Sequence, residues 1–410
     1  TPLPVNLDKI IKFEDNAYKL NNSPESASLI NFLNESHFDK VINLNSTSVA
    51  SGLLQKLNTP DKSGFGANNQ QNQELLDLLI SFMKNRNLSV LNLSDAFRKL
   101  HKNNYNQDYW QKDHPLKDSK DIIIQLGSRN SKRNPSLSFF ASLSDKLLQN
   151  GYNIIFSGVK SESPLADECI KKMNYKSSVK NLTGKSSLSE LHYLISQAKL
   201  LITGDTGTMH LAGLTNTEIL ALFGGSAYPF ETMVYSSNAK AYLKTDDTCP
   251  LYPCPEFYNC SHNYVCTEFQ VDRIITLIQS DNLGENAFQT CFDDFGQFLV
   301  PQKKEISQNY LLSLIWRIIF AEFITKKPFP IDFYSKRFLM PNDLISDAKN
   351  LISREFLLAD RLSELTDFNI IAQNFKFLAP ALIFNLIHKK KSGLAELLNP
   401  DHINLILSTL

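Results

Sequence analysis

The sequence has no excess of charge of either sign. Its 42 Lys and Arg side chains are balanced by 42 Asp and Glu side chains, so the formal net charge at pH 7 is zero. Attraction to a polyanion depends on an excess of cations, which this chain does not have. The composition therefore predicts no nucleic-acid partner.

Long apolar runs are also missing. A helix that spans a membrane needs about 18 uninterrupted apolar residues. The best candidate, residues 311–324, is interrupted by Arg317 and Glu322. We therefore expect no transmembrane segment. The first residues, which include Pro2 and Pro4, do not have the basic-then-apolar pattern of a secretory leader.

Glycine, proline and cysteine are scarce. The 410 residues include 15 glycines and 17 prolines, together below the roughly 12% of an average protein. Collagen-like and disordered chains are therefore excluded, and six cysteines are too few for a disulfide-stapled scaffold. The 27 Phe and 14 Tyr side chains can fill sizeable cores, and the length predicts two or three domains.

Residues 121–224 alternate short apolar runs with longer amphipathic segments. Ser187 and Glu190 form the capping-box pattern that opens a helix. The predicted strands are 122–126, 152–157, 200–202 and 218–223, and the predicted helices are 136–149, 164–173 and 187–198. This order of strands and crossover helices is typical of a doubly wound parallel sheet, an α/β fold.

The chain divides into three predicted regions. Residues 1–115 show a weaker version of the alternation, which predicts a Rossmann-like N-terminal domain. Its predicted segments are 9–13, a helix near 26–34, a strand near 40–44, a helix near 48–57, and 75–84. Residues 116–281 form the clearest Rossmann-like domain. From 282 to 410 strand signals fade, and apolar segments at helical spacing predict a helical extension that acts as a separate interaction domain.

Two loops follow predicted strands at the same edge of this sheet. Residues 204–210 place backbone N–H groups and two Thr hydroxyls at a helix start, which favours an anion such as a diphosphate. Residues 127–135 add three cations. Helix capping by Asp205 or Thr206 explains the first loop equally well without a ligand. Solvated surface cations explain the second.

Three motifs occur in a fixed order between residues 122 and 278. They are Gly127-Ser128 with Lys132-Arg133-Asn134-Pro135, then Leu182-Thr183-Gly184-Lys185-Ser186-Ser187-Leu188, then Asp205-Thr206-Gly207-Thr208-Met209-His210-Leu211-Ala212. In content and order the segment resembles glycosyltransferase family nine, the bacterial ADP-heptose heptosyltransferases with a GT-B fold of two Rossmann-like domains.

The resemblance implies inverting transfer of a sugar from a nucleotide-diphosphate donor without a catalytic metal. It implies that residues 116–281 bind the donor, that residues 1–115 are an acceptor domain that begins one β-α unit late, and that the extension docks an acceptor or a partner. It implies two catalytic residues, Lys132, which neutralises the leaving diphosphate, and Asp205, which organises its loop. The implied donor-binding residues are Ser128, Lys132, Gly158, Glu162, Asp205, Thr206, Gly207, Thr208, Met209 and His210. A histidine bonded to backbone is the alternative for His210, and a solvated loop carboxylate is the alternative for Glu162.

One feature of the family has no counterpart in the sequence. Members begin with a strand and a loop ending in Gly-Asp, whose carboxylate deprotonates the acceptor hydroxyl, and nothing similar precedes Lys9. Either the first unit is missing from the chain or another base acts. A non-catalytic nucleotide-sugar-binding or scaffold protein with a GT-B fold is therefore the second hypothesis, and a GT-B sugar epimerase is disfavoured.

Four cysteines lie in one segment: Cys249, Cys254, Cys260 and Cys266. Four thiolates from a compact loop can hold zinc or iron, although free buried thiols and two disulfides are alternatives. The resemblance extends to a branch of the family that glycosylates autotransporters and holds iron with such a segment, which favours a structural iron or zinc. Four ligands leave no open position, so we expect no metal in catalysis.

These inferences combine into one interpretation of function. We expect an inverting glycosyltransferase that moves heptose from ADP-heptose, or from a related nucleotide-diphosphate sugar. The acceptor is a hydroxyl of the lipopolysaccharide core or of a protein. A cytoplasmic location is expected, either free or peripheral at the inner membrane, and the protein is either a monomer or a homo-oligomer.

Overall fold

A computed structural model gives the structure of residues 24–45, 47–67, 91–100, 118–129, 131–244, 254, 260–280 and 286–301, and of the single positions 310, 314, 317 and 321. These residues fall into two compact units. The larger unit holds residues 91–94 and 118–301. The smaller unit holds residues 24–67, 95–100 and the four single positions, within the limits of the described ranges.

The smaller unit begins with an α/β alternation. Its elements are α1 (Pro24–Glu35), β1 (Lys40–Asn43), α2 (Ser48–Lys56) and β2 (Asp61–Gly64), and α3 (Leu93–Leu100) follows along the chain. Strands β1 and β2 pair in parallel, as a crossover through α2 requires. The helices predicted near 26–34 and 48–57 and the strand near 40–44 are confirmed. The predicted segments at 9–13 and 75–84 lie outside the described residues.

The larger unit alternates strands and helices through most of its length. Its strands are β3 (Asp121–Gln125), β4 (Asn153–Ser157), β5 (Val179–Asn181), β6 (Leu200–Thr203), β7 (Glu218–Phe223), β8 (Ala239–Leu243), β9 (Ala287–Phe292) and β10 (Gln297–Pro301). Its helices are α4 (Leu137–Gln149), α5 (Ser163–Lys172), α6 (Leu188–Gln197), α7 (Gly207–Ala212), α8 (Pro229–Thr232) and α9 (Val271–Gln279).

Within the described residues these strands form one eight-stranded sheet in the order β10-β9-β8-β7-β6-β3-β4-β5. The six strands from β3 to β8 are parallel, whereas β9 and β10 pair antiparallel at one edge. Strand β3 therefore lies between β4 and β6, and the order of strand addition reverses beside it. This order confirms the predicted doubly wound α/β fold.

The core of the larger unit lies where β3, β4 and β6 pack against α4 and α9. Ile122, Ile124 and Phe156 are at most 1% exposed, and Phe140 of α4 packs in the same cluster. Helices cover both faces of a parallel sheet, which is why these strands read as continuous apolar runs. The core fixes the strand ends on which the candidate site is built.

The predicted boundary at residue 282 is wrong for residues 287–301. Strands β9 and β10 extend the sheet of the larger unit, so this stretch does not belong to a helical extension. The boundary at residue 115 is also not sharp, because Leu91 is buried and Asn92 Nδ2 donates to Met233 O at 2.7 Å, both within the larger unit. Positions 310, 314, 317 and 321 are helical, and residues 322–410 lie outside the described residues.

Helix length bears on the membrane prediction. In the part of the chain that the structure describes, no helix combines the length and the apolar character needed to cross a bilayer.

Candidate functional site

The candidate site lies at the reversal point of the larger sheet. Strands β3 and β6 are neighbours, with Ile122 opposite Leu200, although β4 and β5 come between them in sequence. The loops that follow β3 and β6 therefore diverge from adjacent strand ends. Open α/β sheets bind ligands in the crevice outside the carboxyl ends of the strands at such a point.

A cleft with about 320 Å³ of empty space lies between these loops. Its lining includes Gln125, Ser128, Arg133, Asn134, Gly204 and Asp205. Part of this space is open solvent. The two loops that the sequence placed at one sheet edge are thus brought together.

An ion pair joins the two loops across the cleft. Arg133 Nη1 donates to Asp205 Oδ2 at 3.1 Å, and the side chains are 23% and 17% exposed. The buried Nε of Arg133 has no hydrogen-bond partner among the described residues. A buried N–H without a partner is costly, and an anionic ligand in the cleft would satisfy it.

The loop after β6 uses its first Thr as a helix cap. Thr206 Oγ1 accepts from Met209 N at 3.4 Å and contacts Thr203 Oγ1 at 2.9 Å. The capping interpretation is therefore confirmed for Thr206, not for Asp205, which pairs with Arg133. The Thr208 hydroxyl donates to Gln125 Oε1 at 3.2 Å, so its proton already has an acceptor on β3.

His210 and Met209 follow on α7 with different surroundings. Met209 is fully buried. His210 keeps an exposed surface, yet desolvation by the surrounding protein lowers its pKa, against the opposing effect of the Asp205 carboxylate. A pKa below the usual 6.5 keeps the imidazole neutral at pH 7, so it can donate through one nitrogen and accept through the other.

Glu162 lies at the carboxyl ends of β3 and β4. Its Oε2 accepts from Val159 N at 3.0 Å and from Gln125 Nε2 at 2.7 Å. A Cβ on either Gly127 or Gly158 would lie 2.3 Å from a Glu162 oxygen, so both positions need glycine to leave room for the carboxylate. Glu162 is thus held in place and is not a freely solvated loop residue.

Lys132 lies in a short 3-10 helix, Ser131–Arg133, that follows β3. Its Nζ lies 5.6 Å from the centre of the Tyr264 ring, within cation–π range. Asn263 and Tyr264 have left-handed backbone, with φ of 51° and 55°, which is uncommon outside glycine and which places the ring beside the lysine. Lys132 is not among the residues that line the cleft, whereas its neighbour Arg133 is.

The cysteine segment lies next to these loops. Gly225 N donates to Cys266 Sγ at 3.3 Å, and Tyr264 N donates to Cys260 Sγ at 3.4 Å. Among the described residues, Cys254, Cys260 and Cys266 form no disulfide, and Cys249 lies outside the described residues. In the described ranges, no three His, Cys, Asp or Glu side chains form a group that could hold a metal ion. The structure therefore does not show the four-thiolate set, and the structural metal stays a prediction.

The structure gathers most of the predicted site residues and adds two. Ser128, Asp205, Thr206, Thr208, Gly158 and Glu162 all lie at the carboxyl ends of β3, β4 and β6. Sequence reasoning missed Arg133 as the partner of Asp205 and missed Gln125 entirely. The Lys-Arg dipeptide was a signal for Arg133, whereas a polar residue ending the apolar run of β3 was the signal for Gln125.

Comparison with known proteins identifies the family. The model of glycosyltransferase family 9 (heptosyltransferase) matches residues 15–254, more than half of the chain. The chain belongs to this family. The membership confirms the predicted GT-B type of α/β fold.

Individual relatives match over shorter stretches. Lipopolysaccharide heptosyltransferase 2 of Escherichia coli strain K12 is 29% identical over 93 residues, or 22% of this chain and 27% of the relative. Lipopolysaccharide heptosyltransferase 3 of the same strain is 28% identical over 220 residues, or 50% and 63%. The chain thus spans about a quarter of the length of the first relative and less than two thirds of the length of the second. A family 9 glycosyltransferase structure from Veillonella parvula has a TM-score of 0.45 and 18% identity, covering 62% of this chain and 76% of that one.

Proposed function

We propose that this protein is a heptosyltransferase that transfers a heptose from ADP-heptose to a hydroxyl acceptor. The observation that supports this proposal most directly is the cleft between the loops after β3 and β6. There Arg133 bonds Asp205 through Nη1, and its Nε–H has no partner among the described residues. Membership of family 9 and the names of the curated relatives support the reaction class.

The diphosphate of the donor would occupy this cleft. Arg133 offers a cation there, and α7 begins at Gly207, two residues after Asp205, which lines the cleft. Ser128 lines the wall, where its hydroxyl bonds Asn134 Oδ1 at 2.6 Å and holds the loop after β3 in shape. The site thus offers donors to an anion before the anion arrives, which is the arrangement that stabilises developing charge.

The nucleoside would extend toward β4. Glu162 is fixed there through Oε2, and no described residue is recorded as a donor to its Oε1. A carboxylate oxygen with spare acceptor capacity suits a ribose hydroxyl. The end of the site that would take the nucleoside is acidic, and the end that would take the diphosphate is cationic. The donor would therefore bind in one orientation.

Lys132 and His210 would stabilise the negative charge that develops on the diphosphate as the sugar departs. The Lys132 ammonium lies over the Tyr264 ring and outside the cleft lining, so it would turn toward the bound donor to act as a point charge on the leaving group. His210 is neutral at pH 7 because its pKa is lowered, so it would donate one N–H to a phosphate or sugar oxygen. Asp205 would contribute to catalysis by holding Arg133 of the loop after β3 in place across the cleft.

The test uses the full chain with defined donors and acceptors. Purified protein is mixed with ADP-heptose and either heptose-deficient lipopolysaccharide or an autotransporter protein segment, and ADP release and product mass are measured. We expect release of ADP with transfer to one of the two acceptors. UDP-glucose and GDP-mannose serve as control donors and should be poor substrates.

Each possible result has a distinct meaning. Tight ADP-heptose binding without transfer to any acceptor would favour the non-catalytic binding protein. Transfer to protein alone would assign the acceptor to the protein-modifying class, and transfer to lipopolysaccharide alone to the core-synthesis class. Absence of ADP-heptose binding would contradict the proposal.

A further inference from the structure

Gln125, the last residue of β3, has a buried amide with partners on two flanking strand ends. The residue is 5% exposed. Its Nε2 donates to Glu162 Oε2 at 2.7 Å, and its Oε1 accepts from Thr208 Oγ1 at 3.2 Å and from Ser157 Oγ at 3.3 Å. A single side chain therefore connects the segment after β4 with the segment after β6.

This connection depends on the position of β3 in the sheet. Strand β3 lies between β4 and β6, so Glu162 and Thr208 lie on opposite sides of it. A side chain at the end of β3 is placed to reach both. In the proposed donor site, Glu162 belongs to the nucleoside end and Thr208 to the loop at the diphosphate end.

The amide can take only one orientation. A carboxylate accepts hydrogen bonds and cannot donate them, so the NH₂ group must face Glu162. The amide oxygen then faces Thr208 and Ser157, whose hydroxyls donate. Rotating the amide by half a turn would place its oxygen against the Glu162 carboxylate and break these bonds at once. One planar group is thus hydrogen-bonded to both Glu162 and Thr208.

We propose that Gln125 is a positioning residue that couples the nucleoside end of the donor site to its diphosphate end, by holding Glu162 and Thr208 with one amide. The inference rests on the proposed function. It assigns to Gln125 no contact with the reacting atoms.

The first test compares two Gln→Met variants by calorimetric titration with ADP. Methionine keeps the length of the side chain and removes all hydrogen bonds of the amide, including a long one from Nε2 to Gly127 O at 3.4 Å. Gln125→Met should weaken ADP binding about tenfold or more, the scale for losing a charge-assisted hydrogen bond. Gln197→Met is the matched control, because Gln197 is exposed on α6 and, among the described residues, its amide bonds its neighbour Ser196. The control should bind ADP like the wild type.

A double-mutant cycle separates coupling from general loss of structure. Glu162→Gln, Thr208→Val and the double variant are titrated with ADP in the wild-type and Gln125→Met backgrounds. Residues that share a hydrogen-bond network give non-additive effects, whereas independent sites add. We expect the combined effect to differ from the product of the single effects by threefold or more in the wild-type background, and to become multiplicative in Gln125→Met.

Each outcome decides between the two proposals. Wild-type protein that does not bind ADP would overturn the proposed function, and this inference with it. Wild-type binding with multiplicative effects of Glu162→Gln and Thr208→Val would overturn the coupling role and leave the function standing. If Gln125→Met unfolds, the cycle in the wild-type background alone decides by the same threefold criterion.

Discussion

Arg133 Nη1 and Asp205 Oδ2 lie 3.1 Å apart, although 72 positions separate the two residues in sequence. Arg133 ends the short helix after β3, and Asp205 follows β6. The pair exists because β3 and β6 are neighbours in the sheet, so the two loops start from adjacent strand ends. It ties the walls of the cleft together at the place where the donor diphosphate is proposed to bind.

Arg133→Ala is expected to weaken ADP binding by about tenfold or more, the scale of a lost charge-assisted hydrogen bond. The substitution removes a cation and leaves the Asp205 carboxylate unpaired in the cleft, where it repels a diphosphate. Calorimetric titration measures the change. Arg129→Ala is the matched control, because Arg129 is an exposed arginine of the same loop and should have a smaller effect.

The charge argument has an internal check. Replacing Asp205 by Asn in the Arg133→Ala background removes the unpaired carboxylate and should recover part of the lost affinity. An Arg133→Ala variant that binds ADP as tightly as Arg129→Ala would remove Arg133 from the proposed site.

The two glycines beside Glu162 predict that a larger side chain at either position displaces its carboxylate. A Cβ at Gly158 would lie 2.3 Å from Glu162 Oε2, so Gly158→Ala must displace the carboxylate. Because the displaced atom is the end of a flexible side chain, we expect weaker ADP binding and a melting temperature somewhat below that of the control. Gly207→Ala is the control for stability, since a Cβ there meets no atom within 4 Å. Equal melting temperatures for the two variants would contradict the packing argument.

His210 predicts a pH dependence of stability. Desolvation lowers its folded-state pKa, with Asp205 opposing, so the folded protein binds a proton less readily than the unfolded chain does. Stability is therefore complete above the unfolded pKa of about 6.5 and declines as pH falls through the folded pKa. The melting temperature of the wild type should fall relative to that of His210→Gln between pH 7.5 and pH 5.5, about one unit on either side of that value. A wild type that gains stability relative to the variant over this interval would contradict the lowered pKa.

The cysteine segment is predicted to hold one structural iron or zinc. Elemental analysis should give about one equivalent of metal per chain, lost in Cys254→Ser and in Cys260→Ser, because a four-thiolate site needs each ligand. Cys169→Ser is the control. Cys169 is buried on α5 against Leu137 of α4, outside the cysteine segment, and burial raises its pKa to about 12. Metal-free protein with reactive thiols, or two disulfides found by mass spectrometry, would contradict the metal.

Sequence reasoning predicted the parallel part of the larger sheet well. Strand β7 was predicted with its exact bounds, and Ser187 and Glu190 form the expected capping box at the start of α6. These segments have strong local signals, because buried parallel strands are continuous apolar runs and caps are fixed by residue type at fixed spacing.

The same reasoning missed the strands with weak local signals. Strand β5 is three residues long and carries an exposed Lys180, and β8 alternates Ala with half-buried Lys240 and Tyr242. Their strand conformation is set by pairing with β4 and β7. The Arg133–Asp205 pair was missed for a related reason. Nothing in the local pattern of the loop says which of its three cations faces the neighbouring strand.

The central claim is that the loops after β3 and β6 together hold the donor diphosphate. Titration of the wild type, Asp205→Ala and Lys132→Ala with ADP, beside turnover of ADP-heptose by each, tests it most directly. Asp205→Ala should weaken ADP binding itself, because the loop loses its partner. Lys132→Ala should lower turnover on the order of a hundredfold and affect ADP binding less, because the charge it meets is larger in the transition state. Binding and turnover like the wild type in both variants would contradict the account.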